Sequence, residues 1–137
     1  MKHASENFIK LPESELRLMQ AVWSLHAAGE HDITAAALMA ADAGLARLKL
    51  TTVLTLITRL IDRGFLSAEK RGRANCYTPL VSEESYKTQA AAEFIATVYA
   101  SKPGGLLSAL IGGGILSDDE IDELRAMLAQ EAKGDRS

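Results

Sequence analysis

The sequence has one cysteine, Cys76, in 137 residues. A lone cysteine closes no internal disulfide and leaves no thiolate pair for a structural zinc. Cys76 reads as a small hydrophobe on a strand, against the alternative of a redox sensor. The three histidines, His3, His26 and His31, share no ligand spacing, so neither metal nor cofactor is expected. A hydrolase built on Cys76 lacks a histidine base nearby in sequence, and no enzyme is expected. There is no long apolar run. The stretch Leu106 to Leu116 is too short and too glycine-rich to cross a bilayer, so membrane insertion is not expected. The opening MKHASENFIK lacks the apolar centre of a signal peptide, and the expected location is cytoplasmic.

What is present describes an ordinary globular chain, 47% hydrophobic and 24% charged. Its length allows one domain, or one domain plus an appendage, with a sizeable core. The net charge of −3 argues at first against nucleic acid. Its distribution argues the other way. Residues 1–46 balance at −3 and residues 81–137 at −5, while residues 47–80 hold seven basic against two acidic side chains, a balance of +5. A local patch of this kind governs polyanion binding better than the total does.

The pattern predicts a mainly α fold with a small β-hairpin. The first helix runs from Glu13 to about Ala28, with Leu16, Met19, Val22, Trp23 and Leu25 as its apolar face and Gly29 as its stop. Thr34 caps a short Ala-rich helix, Ala35 to Asp42, and 43–47 reads as a turn. Ile33 is a candidate for a single β-bridge to the later hairpin. A helix from about Leu50 to Arg63 buries Val53, Leu56, Ile57, Leu60 and Ile61, and Gly64 ends it. Its other face carries Thr51, Thr52, Thr55, Thr58, Arg59, Asp62 and Arg63. Four threonines weaken helix propensity, so the face is either a neutral solvated one or one whose hydroxyls and methyls meet base edges. Two strands follow, 65–70 and 75–80, joined by a turn over 71–74 with Gly72 available for positive φ. Lys70, Arg71 and Arg73 at that turn suit phosphate or minor-groove contact.

A polar-faced helix followed by a basic-tipped hairpin is the layout of a winged helix-turn-helix, expected over 8–81. The DNA-facing candidates are Lys49, Thr51, Thr52, Thr55 and Arg59 on the helix and Lys70, Arg71 and Arg73 on the hairpin. A winged-helix protein-interaction module without DNA contact is the alternative, and the +5 segment argues against it.

Beyond Val81 the chain turns acidic and helical. Ser82 caps a helix reaching about Ala100, residues 102–105 break it, and a short apolar helix covers Leu106 to Ile111. Ser117 and Glu120 form a capping box for a last helix to about Ala132, and 133–137 is expected to fray. These helices, 82–132, carry more apolar surface than a minimal winged helix needs, which suits a dimerisation region. Phe94, Val98, Leu106, Leu107, Leu110, Ile121, Leu124 and Leu128 are its candidate contacts. An intramolecular flap is the alternative.

Three segments, ESELRLMQAVW, TTVLTLITRLIDRGFLSAEKRGRANCYTPLV and LSDDEIDELRAML, stand in an order and spacing similar to the BlaI/MecI/CopY family of penicillinase-type repressors. The resemblance covers about residues 11–131. It implies a homodimeric repressor of transcription on a palindromic operator of double-stranded DNA, with Thr51, Thr52 and Thr55 at base edges and Arg71 and Arg73 on the backbone. Position 51 is usually Lys in that family. Penicillinase repressors of this type are cut by a membrane sensor-protease at an Asn-Phe bond, and the matching candidate cleavage bond here is Ala109–Leu110. The copper-responsive branch has a C-terminal cysteine cluster that this chain lacks.

Overall fold

The computed structural model describes residues 8–135. Expectations for His3 and for residues 136–137 lie outside them. The element order is α1 (Glu13–Ala27), α2 (Ala35–Ala41), α3 (Ala43–Ala46), α4 (Leu50–Asp62), β1 (Leu66–Arg71), β2 (Ala74–Pro79), α5 (Glu83–Val98), α6 (Pro103–Gly112) and α7 (Asp118–Asp135).

α1 starts at Pro12, with Glu13 and Glu15 in its first turn, where the helix dipole favours acidic side chains. Its buried residues are Glu15, Leu18, Met19, Ala21, Val22 and Trp23. The buried face is therefore centred on Leu18 and Val22, and Leu16 and Leu25 only flank it. Thr34 Oγ1 accepts from the Ala37 N–H at 3.1 Å and starts α2. The expected turn over 43–47 is instead the short helix α3. Asp42 leaves the helical conformation (ψ 123°) and its carboxylate accepts from the Leu45 N–H at 2.9 Å, so one side chain ends α2 and caps α3.

α4 buries Val53, Leu56, Ile57 and Leu60 against α1 and α2. Ile61, expected in the buried stripe, is exposed. A strip of four apolar positions already fills the contact, and Ile61 lies one step round the helix from it.

The hairpin pairs Leu66 with Pro79 through Arg71 with Ala74, which leaves Gly72-Arg73 as a two-residue loop. Gly72 takes φ +63°, the positive value that a tight hairpin turn needs at its first central position. Arg71 thus belongs to β1 and Ala74 to β2, not to the turn. The Ile33 carbonyl accepts from the Tyr77 N–H at 2.8 Å. This one backbone bond links the loop before α2 to the hairpin, without a third strand.

The chain divides into two units, up to Ala90 and from Ala91. The division between the units falls inside α5. Tyr86 is the cause. Its ring packs on Phe8, Trp23 and Phe65 at centroid distances of 5.4, 5.8 and 5.9 Å, and its hydroxyl accepts from the Leu11 N–H at 2.9 Å. Trp23 Nε1 donates to the Val81 carbonyl at 2.8 Å, fixing the exit of β2 against α1.

In the second unit, the rest of α5 ends at Val98, and Ala100 and Ser101 follow with positive φ. A break between α5 and α6 is present, but α6 begins at Pro103 and takes in Gly104 and Gly105, three residues before the predicted start at Leu106; Pro suits a first helical turn, where its missing N–H would have no partner. The capping box forms: Ser117 Oγ accepts from the Glu120 N–H at 3.1 Å, and Glu120 Oε1 accepts from the Ser117 N–H at 2.9 Å. α7 continues through Asp135, past the expected end near Ala132. Among the described residues, no single helix is long and apolar enough to cross a membrane.

Candidate nucleic-acid interface

The eight residues expected to face DNA lie on two neighbouring elements, α4 with its cap and the hairpin. All eight are exposed: Lys49, Thr51, Thr52, Thr55, Arg59, Lys70, Arg71 and Arg73. Lys49 is the N-cap of α4, so the helix presents its positive end together with a cation. α1 holds the buried face of α4, which fixes the exposed face in the opposite direction.

The hydroxyls of that face do not all point outward. Thr55 Oγ1 donates to the Thr51 carbonyl at 3.0 Å, and Thr58 Oγ1 donates to the Leu54 carbonyl at 3.0 Å. Bonds back to the preceding turn are the usual satisfaction of a mid-helix threonine. The same face carries two leucines that a reading of its threonines passes over. Leu50 is 53% exposed and Leu54 38%. The available signal was their four-residue spacing on the polar side of the helix.

Seven cations fall in residues 47–80, and two of them are engaged within the fold. Arg63 meets Glu15 with an Nε–Oε1 distance of 2.8 Å. The Glu15 side chain is only 3% exposed, and the Arg63 N–H is not aimed at Oε1, so the contact is an ion pair without a hydrogen bond to that oxygen. Arg71 donates from Nη1 to Asp32 Oδ1 and to the His31 carbonyl, both at 3.0 Å, and lies 3.4 Å from Glu69 Oε2. The Asp32 hydrogen bond, followed by the charge of Glu69, holds the guanidinium above its usual pKa. No sequence signal announces Asp32, which lies 39 residues from Arg71. Arg47, Lys49, Arg59, Lys70 and Arg73 have no acidic partner among the described residues, so these five cations stand unpaired on this surface.

Cys76 is buried on β2, with Sγ 3.8 Å from Asp32 Oδ1, in keeping with a packed strand residue. No cluster of three or more His, Cys, Asp or Glu able to hold a metal occurs among the described residues.

A helix-turn-helix followed by a basic hairpin, with cations on both, defines a winged-helix DNA-binding regulator of transcription. The penicillinase repressor family model matches residues 11–130, and the chain belongs to that family, one of transcriptional repressors and not of enzymes. A 16.5 kDa protein of Latilactobacillus sakei, encoded 3′ of ptsI, is 32% identical over 93% of this chain and 84% of its own length. The methicillin resistance regulatory protein MecI of Mammaliicoccus sciuri is 38% identical over 56% of this chain and 63% of its own. This chain therefore spans less than two thirds of MecI. Among solved structures, Bacillus licheniformis BlaI, a monomeric form in complex with the blaP half-operator, gives a TM-score of 0.45 at 25% identity over 58% of this chain and 90% of that one.

Proposed function

We propose that two copies of this repressor pair through their C-terminal helices and occupy a palindromic operator, blocking transcription by occupancy. One observation carries the DNA contact: five cations, Arg47, Lys49 at the α4 cap, Arg59 on α4, and Lys70 and Arg73 on the hairpin, have no acidic partner among the described residues in a chain of net charge −3. A second supports the pairing. From Ala91 onward no described residue is buried, while Phe94, Val98, Leu107, Ile111, Ile115, Met127 and Leu128 are exposed. Leu106, Leu110, Ile121 and Leu124 are only half-buried. Apolar side chains at this density complete a core when a second copy covers them. The cytoplasm is the compartment in which such a repressor meets DNA.

Ala109 and Leu110 lie within α6, both half-buried. A cut there by a membrane sensor-protease would part α5 from α7 and remove half of the pairing surface.

Sedimentation equilibrium and a gel shift on the chain's own upstream DNA test the reading together. A dimer that shifts this DNA, with affinity falling steeply in salt, is the expected result. A monomer at micromolar concentration would overturn the pairing. A dimer that leaves every duplex unshifted at low salt would favour a protein-interaction module.

A further inference from the structure

The nine residues Leu50 to Thr58, two and a half turns of α4, contain no Arg, Lys, Asn, Gln, Asp or Glu. Direct readout of guanine or adenine in the major groove relies on bidentate Arg, Lys, Asn or Gln, and readout of cytosine on an acidic acceptor. Within this stretch the exposed face carries none of them, and the nearest such groups are Lys49 at the cap and Arg59 and Asp62 at the far end of the helix. Thr55 and Thr58 further commit their hydroxyl protons to the carbonyls of Thr51 and Leu54. To a base they offer lone pairs and a methyl group. Beside the threonines, at the edge of the buried stripe, stand Leu50 and Leu54, one turn apart and both exposed.

We propose that this repressor reads its operator chiefly through thymine C5-methyl groups, with Leu50 and Leu54 as the specificity-determining side chains. The inference rests on the reading of α4 as the recognition helix. The C5-methyl is the one apolar group that a base pair displays in the major groove, and it is the feature an aliphatic side chain can select. The occupant of this apolar strip is DNA and not a second protein because of what borders it. Arg47 and Lys49 precede it, Arg59 follows it, and none has an acidic partner among the described residues. A strip of leucine and threonine methyls framed by free cations is complementary to a methylated base edge framed by phosphates.

The test uses the full chain. A duplex is first enriched from a random-sequence library, then remade with deoxyuridine in place of every thymine, which removes the methyl and keeps every hydrogen-bonding group. Covering one methyl corresponds to about a four-fold change in affinity, and two such contacts to about fifteen-fold. The expected result is a loss of that size in the deoxyuridine duplex, traced by single replacements to particular thymines. A scrambled duplex should bind weakly and equally with thymine or deoxyuridine. Leu54→Ala or Leu50→Ala should abolish the discrimination at its own position, whereas Arg73→Ala should weaken both duplexes alike. An enriched duplex that binds within about two-fold after the methyls are removed overturns methyl readout and leaves α4 as the reading helix. Discrimination that survives in both leucine variants overturns the assignment to Leu50 and Leu54. Failure to enrich any sequence overturns the recognition-helix reading, and the proposal with it.

Discussion

Arg71 on the first strand of the hairpin holds Asp32, from the loop before α2, at 3.0 Å, and the same guanidinium reaches the His31 carbonyl. A wing cation is thereby anchored to the body of the domain. Arg73, two residues on at the tip of the hairpin, has no acidic partner among the described residues. The two arginines are alike in sequence and different in situation. Arg73→Ala is expected to weaken binding on all DNA sequences and to reduce the slope of log affinity against log salt by about 0.9, the share of one phosphate contact. Arg71→Ala should change the slope less. Asp32→Ala, by releasing Arg71, should steepen it. Fluorescence anisotropy over a salt series measures all three, and equal slopes for the two arginine variants would refute the distinction.

Tyr86 carries the packing of the first unit into α5. Replacing it by Phe keeps the ring contacts and removes the acceptor of the buried Leu11 N–H. The expected cost is about 1–3 kcal/mol in urea unfolding, the range for a buried donor left without a partner. A change below about 0.5 kcal/mol would show that another acceptor takes its place.

Arg63 and Glu15 join the end of α4 to the start of α1. Arg63→Ala leaves a buried carboxylate without its counter-charge. A loss of about 3 kcal/mol is expected, the low end for breaking a buried pair because Arg63 itself is partly exposed. Adding Glu15→Leu should recover most of it. If the double variant is no more stable than Arg63→Ala alone, the loss comes from the packing of the arginine stem and not from the orphaned charge.

Glu120 supplies a pH dependence confined to α7. Its carboxyl is held below the usual value first by the Ser117 backbone N–H and then by the Ser117 hydroxyl. A depressed carboxyl contributes stability that is present above its unfolded value of about 4.3 and is lost as pH falls through the lower folded value. Helix content followed by circular dichroism should therefore fall more over that acid range in the native chain than in Glu120→Gln. Ser117→Ala should cost about 1 kcal/mol at neutral pH. An identical acid profile for Glu120→Gln would remove the capping box from the account.

The elements that were legible in the sequence are those set by local periodicity and local capping. Val53, Leu56, Ile57 and Leu60 recur at helical spacing and are buried, Thr34 and Ser117 cap the helices they precede, and Gly72 turns the hairpin. The candidate DNA surface was legible for the same reason: a run of cations and threonines over 47–80 needs no fold to be counted. Helix α3 was hidden because Ala-Gly-Leu-Ala-Arg looks like a turn until the Asp42 carboxylate caps it.

By itself, then, the sequence determined the order of the helices, the place of the hairpin and the sign of the charge on it, all interactions within a few residues. Only the tertiary structure decided which cations are free and where the first unit ends. Arg71 is engaged because Asp32 is folded against it from 39 residues away, and Arg63 because α1 brings Glu15 beneath it. Tyr86 belongs to the first unit because Phe8, Trp23 and Phe65 surround its ring. Such pairings depend on distance in space, which local spacing along the chain does not encode.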